Sequence, residues 1–194
     1  MVMKRFNVFL SYNDSDLALV ERIMSILNRM GISAYSYKHY PEYGEYIPEI
    51  IRKNTSDSEY FVVLLTQAGI ESQWVNQEIG MAFALNMLII PIIQMRVESK
   101  GFVELRQRID YDLYNPEKAI GDLIYRLRYL CNANSIQLEC TNENCRSRFV
   151  WGIPSQMEIN EAIKKNQVFI ATCSYCKNQI RFSPITFEQL DNIH

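Results

Sequence analysis

The sequence predicts an α/β protein in which a doubly wound, five-stranded parallel sheet precedes a small β-rich module. Strand-like and helix-like segments alternate from residue 6 to residue 131, and repeated βα units of this kind imply a parallel sheet. Segments 60–65 and 88–93 are continuously apolar, as expected of strands covered by helices on both faces. Beyond Cys131, short β-like runs surround four cysteines, so we expect a second module there.

The spacing of apolar residues places each element of the first part. Consecutive apolar residues indicate buried strands, whereas apolar residues three and four positions apart indicate amphipathic helices. The predicted strands span residues 6–11, 32–37, 60–65, 88–93 and 109–113, and the predicted helices span residues 14–30, 48–57, 72–86 and 116–131. Asp14 or Ser15 can cap the first helix, Gly31 suits the left-handed position after it, and Pro48 suits the first turn of the second.

The remaining 63 residues predict a module that is too short to build a large core unaided. Its β-like runs span residues 136–139, 148–151, 168–172 and 179–182, with a polar helix over residues 155–165. We therefore expect domains at 1–131 and 132–194, the second held together by more than its own core. Phe149, Trp151 and Phe182 are interpreted as its small core in preference to a base-stacking platform.

The cysteine spacing predicts a metal site. Four residues separate Cys140 from Cys145, two separate Cys173 from Cys176, and 27 lie between the pairs. Two such turns can close a tetrahedral four-thiolate site, and the region resembles a zinc ribbon. Iron–sulfur ligation and unligated core cysteines are alternatives, but structural Zn²⁺ is favoured because the module is otherwise short of core. A fully protein-ligated ion leaves no open position for catalysis.

Charge and hydropathy exclude several classes of protein. Twenty Lys and Arg face 22 Asp and Glu, and from residue 132 onward the two signs are equal, which argues against nucleic-acid binding. The longest apolar stretch, residues 81–93, is shorter than the roughly 20 residues that a membrane span requires. Residues 1–5 lead directly into a strand without a signal sequence, so we expect a cytoplasmic protein with no membrane partner.

Glu78 stands out within the third predicted helix. On a wheel of about 100° per residue it falls between apolar neighbours that include Trp74, Ala82 and Leu85. A carboxylate in such surroundings is costly and should have a raised pKa, which is typical of functional groups. The alternative is a glutamate that reaches solvent past Trp74 or accepts a local hydrogen bond.

Several motifs together resemble TIR (Toll/interleukin-1 receptor) domains over about residues 5–131. The motifs are Phe-Leu-Ser-Tyr at 9–12, Gly-Ile at 31–32, the loop 41–44, Ser-Gln-Trp-Val-Asn-Gln-Glu at 72–78 and Ile-Ile-Pro-Ile at 89–92. The resemblance implies a flavodoxin-like TIR fold. Pro41 departs from the family pattern because it lies three residues before Gly44 and not adjacent to it.

The resemblance also implies an activity. Many prokaryotic TIR domains cleave the nicotinamide–ribose bond of NAD⁺, and the catalytic glutamate of their Trp-x-x-x-Glu motif maps to Glu78. Nicotinamide leaves as a neutral molecule, so no metal, second carboxylate or histidine is required, and the chain contains only His39 and His194. Since a G-x-G-x-x-G fingerprint is missing, NAD⁺ is expected as substrate and not as cofactor.

By resemblance, further residues border the nucleotide, at the carboxyl ends of the strands where such sheets bind ligands. They are Ser11, Tyr12, Asn13, Tyr40, Tyr43, Gly44 and Trp74. Tyr40 and Tyr43 belong to a run of five tyrosines between Tyr35 and Tyr46, which could stack on adenine or nicotinamide or be ordinary loop aromatics.

We therefore expect an NAD⁺ hydrolase or cyclase that yields nicotinamide and ADP-ribose or a cyclic ADP-ribose isomer, a signal in prokaryotic antiviral defence. TIR–TIR self-association and a downstream effector that senses the product are the expected partners. The alternative function is a non-catalytic adaptor that self-associates through its TIR part and recruits a partner through the ribbon.

Overall fold

The computed structural model describes residues 6–37, 47–98, 103 and 107–190. Its main sheet contains β1 (Phe6–Ser11), β2 (Ala34–Tyr35), β3 (Ser58–Leu65), β4 (Leu88–Gln94) and β5 (Ile109–Tyr111). All neighbouring strands are parallel, in the order β2-β1-β3-β4-β5. This confirms the predicted doubly wound sheet, and it places the reversal of strand order at β1, between β2 and β3.

The connecting segments differ from prediction in detail. The helices are α1 (Leu17–Arg29), α2 (Ile47–Ser56), α3 (Gln67–Glu71), α4 (Gln73–Ala84) and α5 (Pro116–Cys131), with a 3₁₀ turn at Asp14–Asp16. The expected cap at Asp14 or Ser15 is wrong, because the Asn13 side chain accepts the hydrogen bond from the Ser15 backbone N–H at the start of the 3₁₀ turn. Gly31 does adopt the predicted left-handed conformation, with φ of 73°.

Helices cover both faces of the sheet, as the apolar strands predict. Alternation along β1 sends Phe9 to the face covered by α4, where it packs in one hydrophobic cluster with Val75 and Ile79. Val8 and Leu10 point to the opposite face, into a second cluster that contains the buried residues of α1 and α5. None of the helices in the described ranges has the length and apolar character that crossing a bilayer requires.

The C-terminal module consists of two antiparallel hairpins and one helix. These are β6 (Ser135–Glu139) with β7 (Arg148–Gly152), α6 (Gln156–Lys164), and β8 (Phe169–Thr172) with β9 (Gln179–Phe182). The Trp151 and Phe182 rings meet edge to face at 4.7 Å, and Phe149 and Phe182 are buried, which confirms these aromatics as core.

The module shares its core with the main sheet. The cluster on the α1/α5 face continues without interruption to Ile136, Phe149, Cys173 and Phe182 of the module. A module too small to bury enough apolar surface alone is thus stabilised in part by packing against two helices of the larger unit.

Residues 183–190, the docking segment, attach the module to α1 and α5. Arg22 of α1 forms two 2.5 Å hydrogen bonds with Glu188 and a third with Glu117 of α5. Arg29 donates to the backbone carbonyl of Phe187 at 3.0 Å, and the guanidinium of Arg128 lies 5.5 Å from the centre of the Phe187 ring. Charge-assisted bonds and a cation–π contact therefore reinforce the apolar packing.

The close contact of α5 with the docking segment explains a glycine in the middle of a helix. A Cβ at Gly121 would lie 2.7 Å from Ile185 Cγ2 and 3.2 Å from the Ile185 carbonyl oxygen. Gly121→Ala should therefore destabilise the fold by about 1 kcal/mol, because overpacking outweighs the gain in helix propensity. In α4, Gly80 has open space around the same position. Gly80→Ala should accordingly stabilise by about 0.5–1 kcal/mol. Urea unfolding of both variants measures the change in the free energy of unfolding. Changes of the same sign in the two variants would contradict the prediction.

Candidate functional site

Glu78 occupies a buried position on α4. Ser72 caps this helix by accepting a hydrogen bond from the Val75 backbone N–H at 3.3 Å, and Trp74 lies one turn before Glu78. Glu78 is only 5% exposed. Its Oε2 accepts a hydrogen bond of 2.5 Å from the hydroxyl of Ser11, which is itself 2% exposed. The carboxylate that a helical wheel places among apolar neighbours is therefore buried and partnered.

The fold explains why Ser11 and Glu78 meet. Ser11 ends β1, and its side chain points to the same face as Phe9, two residues earlier. Phe9 stacks on Phe61 of β3 with 5.4 Å between ring centres, and α4 packs on this face. The contact thus lies at the carboxyl edge of β1, at the reversal of strand order where doubly wound sheets bind ligands.

Burial controls the ionisation of Glu78. Removal from water raises the pKa of this carboxyl to about 7, although hydrogen bonds from Ser11 and Trp74 oppose the rise. The charged and neutral forms of Glu78 are therefore both accessible near neutral pH. A carboxyl whose charge state changes near neutrality, at a ligand-binding edge, can act on a substrate in its charged form.

The other predicted site residues have different places. The Tyr12 hydroxyl lies 3.0 Å from the Ser36 hydroxyl at the end of β2, and its ring packs on the α1/α5 face. Asn13 uses its side-chain oxygen to cap the 3₁₀ turn. Tyr40, Tyr43 and Gly44 lie outside the described residues. Of the predicted residues that the structure describes, Ser11 donates a hydrogen bond to Glu78, and Trp74 lies close enough to lower the pKa of this carboxyl.

Sequence reasoning missed a second polar contact at this edge of the sheet. Thr66, which follows β3, donates a 2.8 Å hydrogen bond to Asp16, which follows β1. Burial raises the pKa of Asp16 while this bond lowers it, and the pKa of Tyr111 is also raised, mainly by burial. Thr66 directly follows β3, a position at which polar residues converge on one edge of a parallel sheet. Asp16 lies five residues beyond β1, at the end of the 3₁₀ turn, so the sequence signalled only one side of this contact.

The four predicted cysteines converge at the tips of the two hairpins. Their sulfur atoms all lie within 4.8 Å of one another. Cys140 Sγ lies 3.5 Å from Cys176 Sγ, and Cys145 Sγ lies 3.9 Å from Cys173 Sγ. Each close pair joins one cysteine from the first turn to one from the second, so the site links the two hairpins.

These distances fit a single tetrahedral ion. Four thiolates at about 2.3 Å from a central metal lie about 3.8 Å from one another, whereas a multinuclear iron–sulfur cluster holds its cysteine sulfurs farther apart. The Ser147 hydroxyl is 3.0 Å from Cys145 Sγ and 3.3 Å from Cys173 Sγ, and it lowers the pKa of both thiols. The four thiols can therefore hold a metal ion.

Cys131 lies apart from this cluster. It is half-buried at the end of α5, where burial raises its pKa to about 11. An apolar setting that keeps the thiol protonated makes Cys131 a packing residue.

Comparison with known proteins identifies the larger part of the chain. The TIR domain family model matches residues 8–124, more than half of the 194 residues. The TIR domain of the Toll-related receptor TRR-2 from Hydra magnipapillata is 18% identical over 63% of this chain and 98% of its own, with a TM-score of 0.55. A metazoan TIR-STING receptor from C. gigas, solved with 2′,3′-cGAMP, is 10% identical over 94% of this chain and 74% of its own, with a TM-score of 0.52.

At these identities the two structures show a common fold. No curated protein sequence gives a significant match. The family match, the parallel sheet in the order β2-β1-β3-β4-β5 and the Trp-x-x-x-Glu helix agree with one another. The chain therefore belongs to the TIR domain family.

Proposed function

We propose that this protein cleaves the bond between nicotinamide and ribose in NAD⁺. The observation that carries the proposal is the buried carboxylate of Glu78, hydrogen-bonded to Ser11 at the carboxyl edge of the sheet. The products are nicotinamide and either ADP-ribose or a cyclic ADP-ribose isomer.

A single carboxylate suffices for this chemistry. Nicotinamide leaves with the bonding electron pair, and this converts a cationic pyridinium into a neutral molecule that needs no general acid. The ribose then develops oxocarbenium character, which a nearby negative charge stabilises. In hydrolysis, water attacks C1′ and releases one proton. In cyclisation, a nucleophilic atom of the same nucleotide takes the place of water.

The surroundings of Glu78 suit that role. An ionised carboxylate in a site with little water interacts more strongly with a developing positive charge than it would in solution. It can also accept hydrogen bonds from the ribose hydroxyls and orient the sugar. Because the pKa of Glu78 is close to 7, a large fraction carries this charge at neutral pH.

The remaining parts of the proposal concern structure and context. The four cysteines are assigned to a structural Zn²⁺ that holds the two hairpins together. Self-association of the TIR part, and a downstream effector that senses the released nucleotide in antiviral defence, complete the proposed function.

Incubation of the purified 194-residue chain with NAD⁺ tests the activity. Chromatography with mass detection should show nicotinamide released in equimolar amount with ADP-ribose or a cyclic isomer. NADH is the matched control and should stay intact, because its neutral dihydropyridine is a poor leaving group. NAD⁺ that stays intact at high protein concentration, under conditions that promote oligomers and with the natural trigger, would contradict the enzyme and favour the adaptor.

A further inference from the structure

We infer that Ser11 is a positioning residue, whose hydroxyl holds the Glu78 carboxylate in one orientation at the end of β1. Its importance for catalysis rests on the proposed function, whereas the Ser11–Glu78 contact can be tested without it. The resemblance to the family placed Ser11 among residues that border the nucleotide. The structure instead directs its hydroxyl at the carboxylate.

Both partners are attached to rigid parts of the fold. Ser11 pairs with Val63 of β3 in the parallel ladder, next to the stacked rings of Phe9 and Phe61. Glu78 is fixed by α4, whose Val75 and Ala82 are completely buried against the sheet. The bond joins residues 67 positions apart in sequence, so it connects strand and helix independently of local chain geometry.

The chemistry of the contact makes it directional. A serine hydroxyl has one proton to donate, and an ionised carboxylate can only accept, so the proton points from Ser11 to Glu78 Oε2. With Oε2 engaged, the plane of the carboxylate is fixed and Oε1 has a defined direction. Catalysis depends on such alignment.

The contact also favours the charged form of Glu78. Both groups are almost completely buried. When the hydroxyl is removed, water therefore does not readily take its place as hydrogen-bond donor to the carboxylate. Since the Ser11 bond lowers the pKa of Glu78 against the effect of burial, Ser11→Ala should raise it further. A lost hydrogen bond to a buried charge corresponds to a rise of about one pH unit or more.

The decisive measurement is the free energy of unfolding as a function of pH. Between the pKa of Glu78 in the unfolded chain and its higher pKa in the folded chain, the folded state holds the extra proton, so stability falls as pH rises. In the wild type this decline should end near pH 7. In Ser11→Ala it should continue to a pH about one unit higher. Ser11→Thr, which keeps the hydroxyl, should restore the wild-type midpoint.

Ser58→Ala is the matched control. Ser58 is also 2% exposed, and it donates a hydrogen bond of 2.8 Å to the Asn54 carbonyl of α2. Because Ser58 begins β3, it lies at the end of the sheet opposite to Ser11. Its loss should lower stability equally at all pH values. In a Glu78→Gln background, Ser11→Ala should likewise leave the pH dependence unchanged, because the titrating group is gone.

Turnover provides the second readout. For NAD⁺ cleavage, Ser11→Ala should lower kcat about tenfold or more with KM little changed. It should also move the rising limb of the pH–rate profile to higher pH, by the same amount as the midpoint of the pH-dependent stability.

An unchanged pH midpoint of the stability in Ser11→Ala would overturn the inference. If that variant does not fold, an unchanged midpoint in Ser11→Cys, whose thiol is a weak donor, would do so. Loss of the proposed function would appear differently, as a shifted stability midpoint in a chain that never cleaves NAD⁺.

Discussion

Glu78→Gln should lower NAD⁺ cleavage at least about 100-fold, the cost seen when one preorganised electrostatic contact to a transition state is removed. Glutamine keeps the shape of the side chain and can still occupy the position beside Ser11, so the loss reports the charge and not the packing. In the wild type, kcat/KM should rise with pH through about 7 and then level off, because the ionised form is the active one. Steady-state kinetics from pH 5 to pH 9 measure both effects.

The same substitution should stabilise the folded chain at alkaline pH. Glu78 has a pKa of about 7 when folded and 4.5 as its ordinary value, so the wild type loses stability as pH rises through this window. The loss approaches about 3 kcal/mol once Glu78 is ionised in both states. Glutamine does not titrate, so Glu78→Gln should gain relative stability between pH 5 and pH 8. Denaturant unfolding at those two pH values measures it.

An exposed glutamate provides the control for both effects. Glu161 on α6 lies 3.3 Å from Lys165, with both side chains largely in solvent. Glu161→Gln should change stability by no more than about 0.5 kcal/mol and leave NAD⁺ cleavage unaltered. A Glu78→Gln variant that folds and keeps full turnover would remove Glu78 from the mechanism. A Glu78→Gln variant whose stability depends on pH as that of the wild type does would contradict the raised pKa of Glu78.

Local sequence patterns predicted the elements that local forces determine. The helix expected over residues 116–131 matches α5, because a proline at its start and a continuous apolar face define it. The strand expected over residues 32–37 shrinks to Ala34–Tyr35. This strand lies at the sheet edge and pairs with β1 alone, so a hydrogen-bonded ladder supports it on one side only. The five-residue α3 was missed, because a single turn has no apolar periodicity to detect.

The candidate site was predictable in part for the same reason. The apolar neighbours of Glu78 lie on its own helix, so a wheel could identify it, whereas its bond to Ser11 depends on how α4 packs on the sheet. Docking of the C-terminal module was likewise invisible to local patterns. Gly121 was the available signal, since a glycine inside a helix often marks close approach of another segment.

Removal of the metal should destabilise the whole chain. The purified protein should contain one metal ion per chain, and Cys173→Ser should lose it, because all four thiols are needed to complete the tetrahedron. Binding of structural zinc contributes about 10 kcal/mol or more to the folding of small zinc modules, so the chain should lose stability without the ion. Elemental analysis and calorimetry, with and without a chelator, measure the metal content and the unfolding temperature. Cys131→Ala is the matched control and should keep the ion, because Cys131 lies outside the cluster.

The shared core determines how that loss should spread. Cys140 and Cys173 belong to the same hydrophobic cluster as the buried residues of α1 and α5, so unfolding of the module exposes apolar surface on the TIR part as well. We therefore expect one calorimetric transition that shifts as a whole to lower temperature when the metal is removed. Two transitions, of which only one responds to the chelator, would instead show that the TIR part folds independently of the module. Freshly purified protein without stoichiometric zinc or iron would refute the four-cysteine site. A coloured protein with one iron per chain would keep the site and change only the metal, since Zn²⁺ is a d¹⁰ ion without redox chemistry.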